Sequence, residues 1–442
     1  MKLLERLFGL SGHGTTVRTE VLAGATTFVT MAYIVLVNPA ILSTTGMPAA
    51  GVAAATCLAA GVGCLLMGFL ANYPIALAPG MGLNAYFAFT VVGAMGVPWQ
   101  TALGLVFISG VLFILLTLAG VRQLIVNAIP RALFSAIAAG IGLFIAFIGL
   151  KGAGLVVANP ATLVALGDVH APVTQLALLG LAVLGVLVVL KVRGAILIGI
   201  VATSVLGWLL GLAAWAPQPY SLDTMTGTLL QLDIPAALGI GGKGFGLALL
   251  EILFIFLFVD LFDNVGTLVA VSKKAGLVQP DGTIPRLNRV LFADAGATIV
   301  GTLAGTSTVV SYIESASGVS AGGRTGLTAV VVGLLFLATL FVAPWAQVIP
   351  VAATAPALIL VGAMMMVPLA EIDWDDPVIA IPAFLTLITI PLTFSIANGL
   401  AFGVIAFALL KIAARRVARS DWLLFALAVL FLARFVYMAF EA

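Results

Sequence analysis

The sequence predicts an all-α polytopic membrane protein with fourteen spans, arranged as two inverted seven-span repeats. Three observations lead there. The 442 residues are 62% hydrophobic and 8% charged, with a mean hydropathy of +1.25; a soluble domain averages about 25% charged. The apolar stretches are helix-like runs, not the alternating segments of a barrel. Two runs, the third of each half, are interrupted by Pro, Gly or Thr. Seven is odd, so the second half enters from the opposite side, and broken helices at matching positions put a site between them near the midplane.

Met1–Arg18 is a short polar arm without the apolar region of a signal peptide. Span 1 is expected over Glu20–Val37, stopping at Asn38-Pro39, and span 2 over Ala49–Ala71. In Asn72–Phe87, Pro74, Pro79, Gly80 and Gly82 forbid a regular helix, and a half-helix restarts at Asn84, a good N-cap. That is the broken span 3. Spans 4 to 7 are expected over Trp99–Gly120, Ala132–Leu150, Val173–Leu190 and Ala195–Ala213. A longer loop, Ala214–Gly244, precedes span 8, Phe245–Val271, and span 9, Val290–Leu303, carries Asp294.

The stretch Gly301–Gly318 repeats the design of span 3. Its start is rich in Gly and Thr, Val309-Val310 reads as extended, and Ser311-Tyr-Ile-Glu314 reads as a capping box opening a half-helix, the broken span 10. Spans 11 to 14 are expected over Thr325–Ala343, Thr354–Val367, Pro377–Pro391 and Ala397–Ile412, and the last apolar piece, Trp422–Phe440, as a helix lying at the interface. With a cytoplasmic N-terminus, every Lys and Arg except Lys151, Lys243 and Arg434 falls in inside loops or tails; Arg122, Arg131 and Arg419 are among those inside. Both termini are then cytoplasmic. The acidic patch Glu371, Asp373, Asp375 and Asp376 reads as a solvated inside loop.

Span 8 carries the chemistry. Asp260 and Asp263 share a helix face, extended by Asn264 and Thr267. A carboxylate at the centre of a membrane helix costs about 2.5–3.5 kcal/mol on insertion scales, and such acids mark ligand or proton pathways. Half-helix N-termini offer free N–H groups; Asp260, Asp263 and Glu314 offer acceptors or a protonatable carboxyl, and Asn84 offers both donor and acceptor. A planar heterocycle with alternating N–H and C=O fits this set. A simple anion fits less well, because no Lys or Arg stands near. Each residue also has a plainer use: Glu314 and Asn84 as caps, Asp263 as a scaffold hydrogen-bonder, Asp294 and Ser311 as supports, and Tyr86, Phe87 and Phe89 as packing. Cys57 and Cys64 lie seven apart in span 2 and read as buried thiols; no metal or haem motif is present.

Gly14–Tyr33, Ala78–Phe87, Phe256–Thr267 and Thr306–Gly318, four segments in order over most of the chain, resemble the AzgA-like purine permeases of the nucleobase–cation symporter-2 family. The resemblance implies a uracil-permease-type fold. Residues 20–120 and 245–343 (spans 1–4 and 8–11) would form a core domain after the 1–19 arm. Residues 121–244 and 344–413 (spans 5–7 and 12–14) would form a gate domain, and 414–442 a tail. It implies proton-coupled import of adenine, guanine or hypoxanthine; the compact loops fit a bacterial plasma membrane. The proton gradient drives it with no cofactor or metal, and the chain has no nucleic-acid partner. Carried over by motif, Asp260 and Glu314 are the main base-binding acids, Gly82 and Asn84 the span 3 contacts, and Asp263 a supporting or coupling acid. Asn264, Thr267, Asp294 and Ser311 stand behind them. The two span 8 acids are Asp and Asp three apart, unlike the Glu-led pair of the uracil and xanthine branches, which favours purines.

Alternating access is expected, the core domain carrying the base past the gate while one of Asp260, Asp263 and Glu314 takes and releases a proton. The rivals are a carrier of another nucleobase or a small anion on the same fold, an intramembrane aspartyl enzyme, and a non-transporting receptor. Whether two copies pair as a homodimer is open in the sequence.

Overall fold

A computed structural model describes residues 2–119, 131–215, 221–240, 246–279, 284–418 and 421–441. Arg122, Lys243 and Arg419, used above for orientation, lie outside the described residues, as do the span ends drawn at Gly120 and Phe245. Among the described residues eight helices are long and apolar enough to cross a membrane, and further apolar helices of 10–17 residues accompany them.

After α1 (Lys2–Phe8) the first span is two helices, α2 (Val17–Met31) and α3 (Ile34–Leu42), joined by a turn at Ala32–Tyr33. Thr16 caps α2 by accepting from the Thr19 N–H. The stop expected at Asn38-Pro39 is not observed: both lie inside α3. Asn38 is fully buried and hydrogen-bonded to other spans, so it does not need the water a helix end would supply. Helix α4 (Ala49–Leu66) continues as a π-helical turn to Ala71.

The chain then unwinds as expected. Strand β1 (Leu77–Pro79) leads into α5 (Met81–Ala85), which passes into a π-helical stretch, Tyr86–Ala94. Long apolar helices follow: α6 (Trp99–Leu118), α7 (Arg131–Gly152), α8 (Pro172–Val189) and α9 (Ala195–Leu209). Between α7 and α8 stands an antiparallel hairpin of β2 (Val156–Asn159) and β3 (Leu163–Leu166), which the sequence reading missed. The loop before the acidic helix carries two short helices, α10 (Leu222–Met225) and α11 (Ile234–Ala237). It docks inward: Leu230 N–H donates to Leu303 O at 2.8 Å and Asp233 N–H to Gln100 O at 2.9 Å.

The acidic helix is α12 (Leu247–Lys274), followed by α13 (Leu287–Ala304). Strand β4 (Val309–Ser311) and α14 (Ser315–Ser320) form the second broken element. The remaining helices are α15 (Gly326–Thr339), α16 (Val351–Met364), α17 (Pro377–Thr393), α18 (Ile396–Ala413) and α19 (Trp422–Glu441).

Packing follows two sets. Helix α4 lies on α13 and α15, α6 on α13 and α12, and α15 on α2; separately, α16 and α17 lie on α7, α17 on α18, and α8 on α9 and α16. Glu20, fully buried in α2, ties the N-terminus of α15: it accepts from Arg324 N–H at 2.9 Å, Thr328 N–H at 3.2 Å and Thr328 Oγ1 at 2.6 Å. A carboxylate there satisfies N–H groups with no partner inside the helix and complements the helix dipole.

Helix α19 runs antiparallel beside α18. Lys411 Nζ meets Asp421 Oδ2 at 2.7 Å at one end. Towards the other end, the Phe402 and Phe435 rings lie 5.3 Å apart and Arg434 donates to Asn398 Oδ1 at 3.0 Å.

Candidate functional site

The two unwound segments meet as a ladder. Leu77 pairs with Ser311, Ala78 with Val310 and Pro79 with Val309, antiparallel. Gly80 N–H donates to Thr308 O and Tyr312 N–H to Ala76 O, both at 2.9 Å, lengthening the ladder by a bond at each end. Irregular backbone inside a bilayer survives only where protein satisfies its polar groups, and each strand does this for the other. Cys64 adds to it: its thiol donates to Leu77 O at 3.3 Å and accepts from Leu77 N–H at 3.2 Å. This is more than the packing role expected of it. Cys57 is fully buried and free.

Both half-helix starts differ in detail from expectation. The first half-helix begins at Met81 with Gly80 as its N-cap, and Asn84 lies inside it. Asn84 is held by distant residues: its Nδ2 donates to Asn38 Oδ1, and its Oδ1 accepts from the Ser307 hydroxyl. Asn38 Nδ2 in turn donates to Thr56 Oγ1 at 2.8 Å and Thr306 Oγ1 at 2.9 Å. All five side chains are fully buried, so α3, α4, α5 and the segment leading into β4 share one satisfied polar network. The capping box Ser311–Glu314 does not form. Ser311 belongs to β4, because the ladder claims its backbone, and Glu314 is itself the N-cap residue of α14, with no side-chain capping bond.

The Glu314 carboxylate instead faces span 1. Tyr33, at the turn between α2 and α3, donates to Glu314 Oε1 at 2.8 Å. Thr30 Oγ1 and Ser317 Oγ, 2.9 Å apart, join the same two elements. Asp263 and Tyr312 lie within electrostatic reach of Glu314, and the Tyr312 hydroxyl donates to Pro79 O on the partner strand. Asp260, 4% exposed, stands one turn before Asn264, which is fully buried. Neither amide atom of Asn264 finds a partner among the described residues, nor do the hydroxyls of Thr308 and Ser311. Thr267 is half-buried further along the same helix, and Asp294 is fully buried in α13.

Gly82 touches the other helix set. A Cβ there would meet Ile141 Cγ2 of α7 at 2.4 Å. The aromatics serve packing: Phe256 of α12 lies edge-on to Tyr86 with centroids 5.3 Å apart, and 6.4 Å from Phe87. The structure thus brings Asp263 and Glu314 together. It puts Asn84 and Gly82 on a neighbouring element, in a polar network and against α7 respectively. Tyr33, Asn38, Tyr312 and Ser307 were not singled out in the sequence. The one local signal was a polar Asn38 inside an apolar run, which reads equally well as a span end.

The result is a buried, strand-lined polar centre of acids, hydroxyls and an amide. No Lys or Arg occurs in β1, α5, β4 or α14, nor in residues 252–272 of α12. Among the described residues no cluster of His, Cys, Asp and Glu could hold a metal ion. A buried polar centre of this kind, set within apolar helices, is what a membrane carrier needs. The chain belongs to the Permease family, whose model matches residues 18–402. It is similar to the adenine permease AdeP of Escherichia coli, 45% identical with 99% of this chain and 96% of the relative covered. It is also similar to the guanine/hypoxanthine permease PbuG of Bacillus subtilis, 43% identical over 98% and 100%. In fold it is similar to the transmembrane domain of the cyanobacterial bicarbonate transporter BicA, with a TM-score of 0.60 at 16% identity, covering 90% of this chain and 97% of that one. The expectation of a multi-pass membrane permease, rather than an enzyme, is met.

Proposed function

We propose that this chain imports purine nucleobases by proton symport and alternating access. The observation that carries the reading is the acid cluster at the strand crossing, with Glu314 held by Tyr33 and Asp263 within electrostatic reach. Carboxylates and amides recognise the N–H and C=O edge of a purine. The names of AdeP and PbuG, whose whole length the chain nearly covers, point to the same substrates. Asp260 and Glu314 bind the base, with Asp263 beside them and Gly82 and Asn84 shaping the span 3 side. Asn264, Thr267, Asp294 and Ser311 support them. One of the three acids carries the proton, since intramembrane acids serve as proton relays; the gradient is the driving force and no cofactor enters.

Fourteen spans in two inverted repeats give the simplest account of the packing. Adding or subtracting seven turns the contact of spans 2 and 11 (α4 with α15) into that of spans 9 and 4 (α13 with α6). It likewise turns spans 1 and 11 into spans 8 and 4, and spans 6 and 7 into spans 13 and 14. We read the two packing sets as a core of spans 1–4 and 8–11 and a gate of spans 5–7 and 12–14. The N-terminus is cytoplasmic and the membrane is the plasma membrane.

The test is uptake of radiolabelled adenine, guanine, hypoxanthine, xanthine, uracil and bicarbonate into cells expressing the wild type, Asp260→Asn or Glu314→Gln, with and without a protonophore. Purine uptake lost in both variants at normal membrane abundance, and abolished by the protonophore, is the expected result. Uptake of bicarbonate but of no base would overturn it in favour of an anion carrier. Purine uptake indifferent to the protonophore would overturn the proton coupling.

A further inference from the structure

Arg434 sits near the middle of an otherwise apolar terminal helix. Its Nε and one terminal nitrogen each donate to a Glu251 oxygen at 2.6 Å, a two-pronged pair with α12. Its other terminal nitrogen donates to Asn398 Oδ1 of α18 at 3.0 Å. The pair is largely shielded, with side chains 16% and 15% exposed. The Phe254 and Phe431 rings of the same two helices lie 5.9 Å apart.

The register of α19 fixes its course. From Lys411 back to Asn398 and from Asp421 on to Arg434 the chain travels the same number of residues in opposite directions, and contacts occur at both ends. Helix α19 is therefore parallel in axis to α18, a membrane helix. Its 20 residues are about 30 Å long, the thickness of a hydrocarbon core. A helix lying at the interface needs a charged face. Here the outward face is Val429, Leu430, Leu432 and Val436, all exposed and apolar, and between Trp422 and Phe440 the single charged residue is Arg434, which points at protein.

We infer that α19 crosses the membrane as a fifteenth span, placing the chain end on the side opposite the α18–α19 loop, and that Arg434 straps the core helix α12 to the gate helix α18. This departs from the interfacial helix expected from the sequence. The strap rests on the core-and-gate reading above; the crossing does not. If the core slides past the gate, Arg434 cannot keep both partners. The charged, two-pronged Glu251 bond is the stronger, so the Asn398 bond is the one broken in each cycle.

The experiment has two arms. A cysteine appended after Ala442 is labelled in intact cells with a membrane-impermeant maleimide, beside cysteines replacing Asp168 in the α7–α8 loop and Asp375 in the α16–α17 loop. The unmodified chain, whose Cys57 and Cys64 are buried, sets the background. The crossing requires the terminal cysteine to label like the Asp168 position; labelling like the Asp375 position overturns it, whatever the substrate. In the second arm, Asn398→Ala keeps the Glu251 pair but frees the gate. Purine uptake per molecule in the membrane should rise about tenfold or more, as expected for losing a hydrogen bond to a charged group before the slow step. An unchanged or lower rate, with wild-type purine uptake intact, overturns the strap and leaves the crossing standing.

Discussion

Tyr33 and Glu314 are 281 residues apart and joined by a 2.8 Å hydrogen bond from phenol to carboxylate. The bond fixes the turn of span 1 against the start of the span 10 half-helix, and it occupies one oxygen of the Glu314 carboxylate. Tyr33→Phe removes the donor while keeping the ring. A hydrogen bond to a charged group contributes about 1.5–3 kcal/mol, so KM for the transported base should rise by about tenfold or more, with membrane abundance unchanged. A KM within twofold of wild type would show that Tyr33 does not position Glu314.

The Asn38–Asn84–Ser307 network makes a different prediction. Asn84→Ala leaves the buried Asn38 Oδ1 and Ser307 hydroxyl without a partner. Each such group costs about 1–3 kcal/mol. The thermal midpoint in detergent should drop clearly, and Asn38→Ala combined with Asn84→Ala should cost less than the sum of the two, because they share a bond. Additive losses would mean the residues act separately.

Gly82 is a test of close approach. A methyl at that position would stand 2.4 Å from Ile141 Cγ2, so Gly82→Ala should abolish most uptake. Ile141→Ala in the same chain should restore a measurable part of it by opening the space. Failure of the second change to rescue would place the defect in ligand contact at Gly82 and not in packing against α7.

Asp421 gives the pH dependence. Burial pushes its carboxyl up, but the Lys411 hydrogen bond, the Ala418 N–H and the Lys411 charge outweigh this and hold it below the ordinary carboxylate range. The contribution is present at neutral pH and is lost as pH falls through the folded value. Asp421→Asn should lower stability by about 0.5–1 kcal/mol at neutral pH, and the gap to wild type should close in strong acid. A gap that persists in acid would assign the loss to packing.

How much of this was legible follows from the range of each interaction. Span positions came from hydropathy alone, since a membrane helix must be apolar along its own length; α4, α7, α8 and α17 begin within a residue of where they were expected. The breaks at Pro79 and Gly80 and at Val309–Val310 were equally local. Asn84 and Ser311 were misread because their residue types suit a cap, while their partners lie elsewhere in the chain: Ser307 for Asn84, and Leu77 for Ser311. Nothing near Glu20 in sequence announces that it ties the N-terminus of α15, and nothing near Arg434 announces Glu251. The acids themselves were found because a charge in an apolar run is conspicuous by cost. Their hydroxyl partners were not, because Tyr in such a run is cheap.

The pairing of Leu77–Pro79 with Val309–Ser311 also bears on how the chain is made. Each strand leaves its backbone groups open until the other arrives, and more than two hundred residues separate them. During synthesis the first half enters the bilayer with an unmatched strand edge that lipid cannot satisfy. The early half must therefore keep that edge shielded until β4 is delivered. Neither half alone can close the ladder.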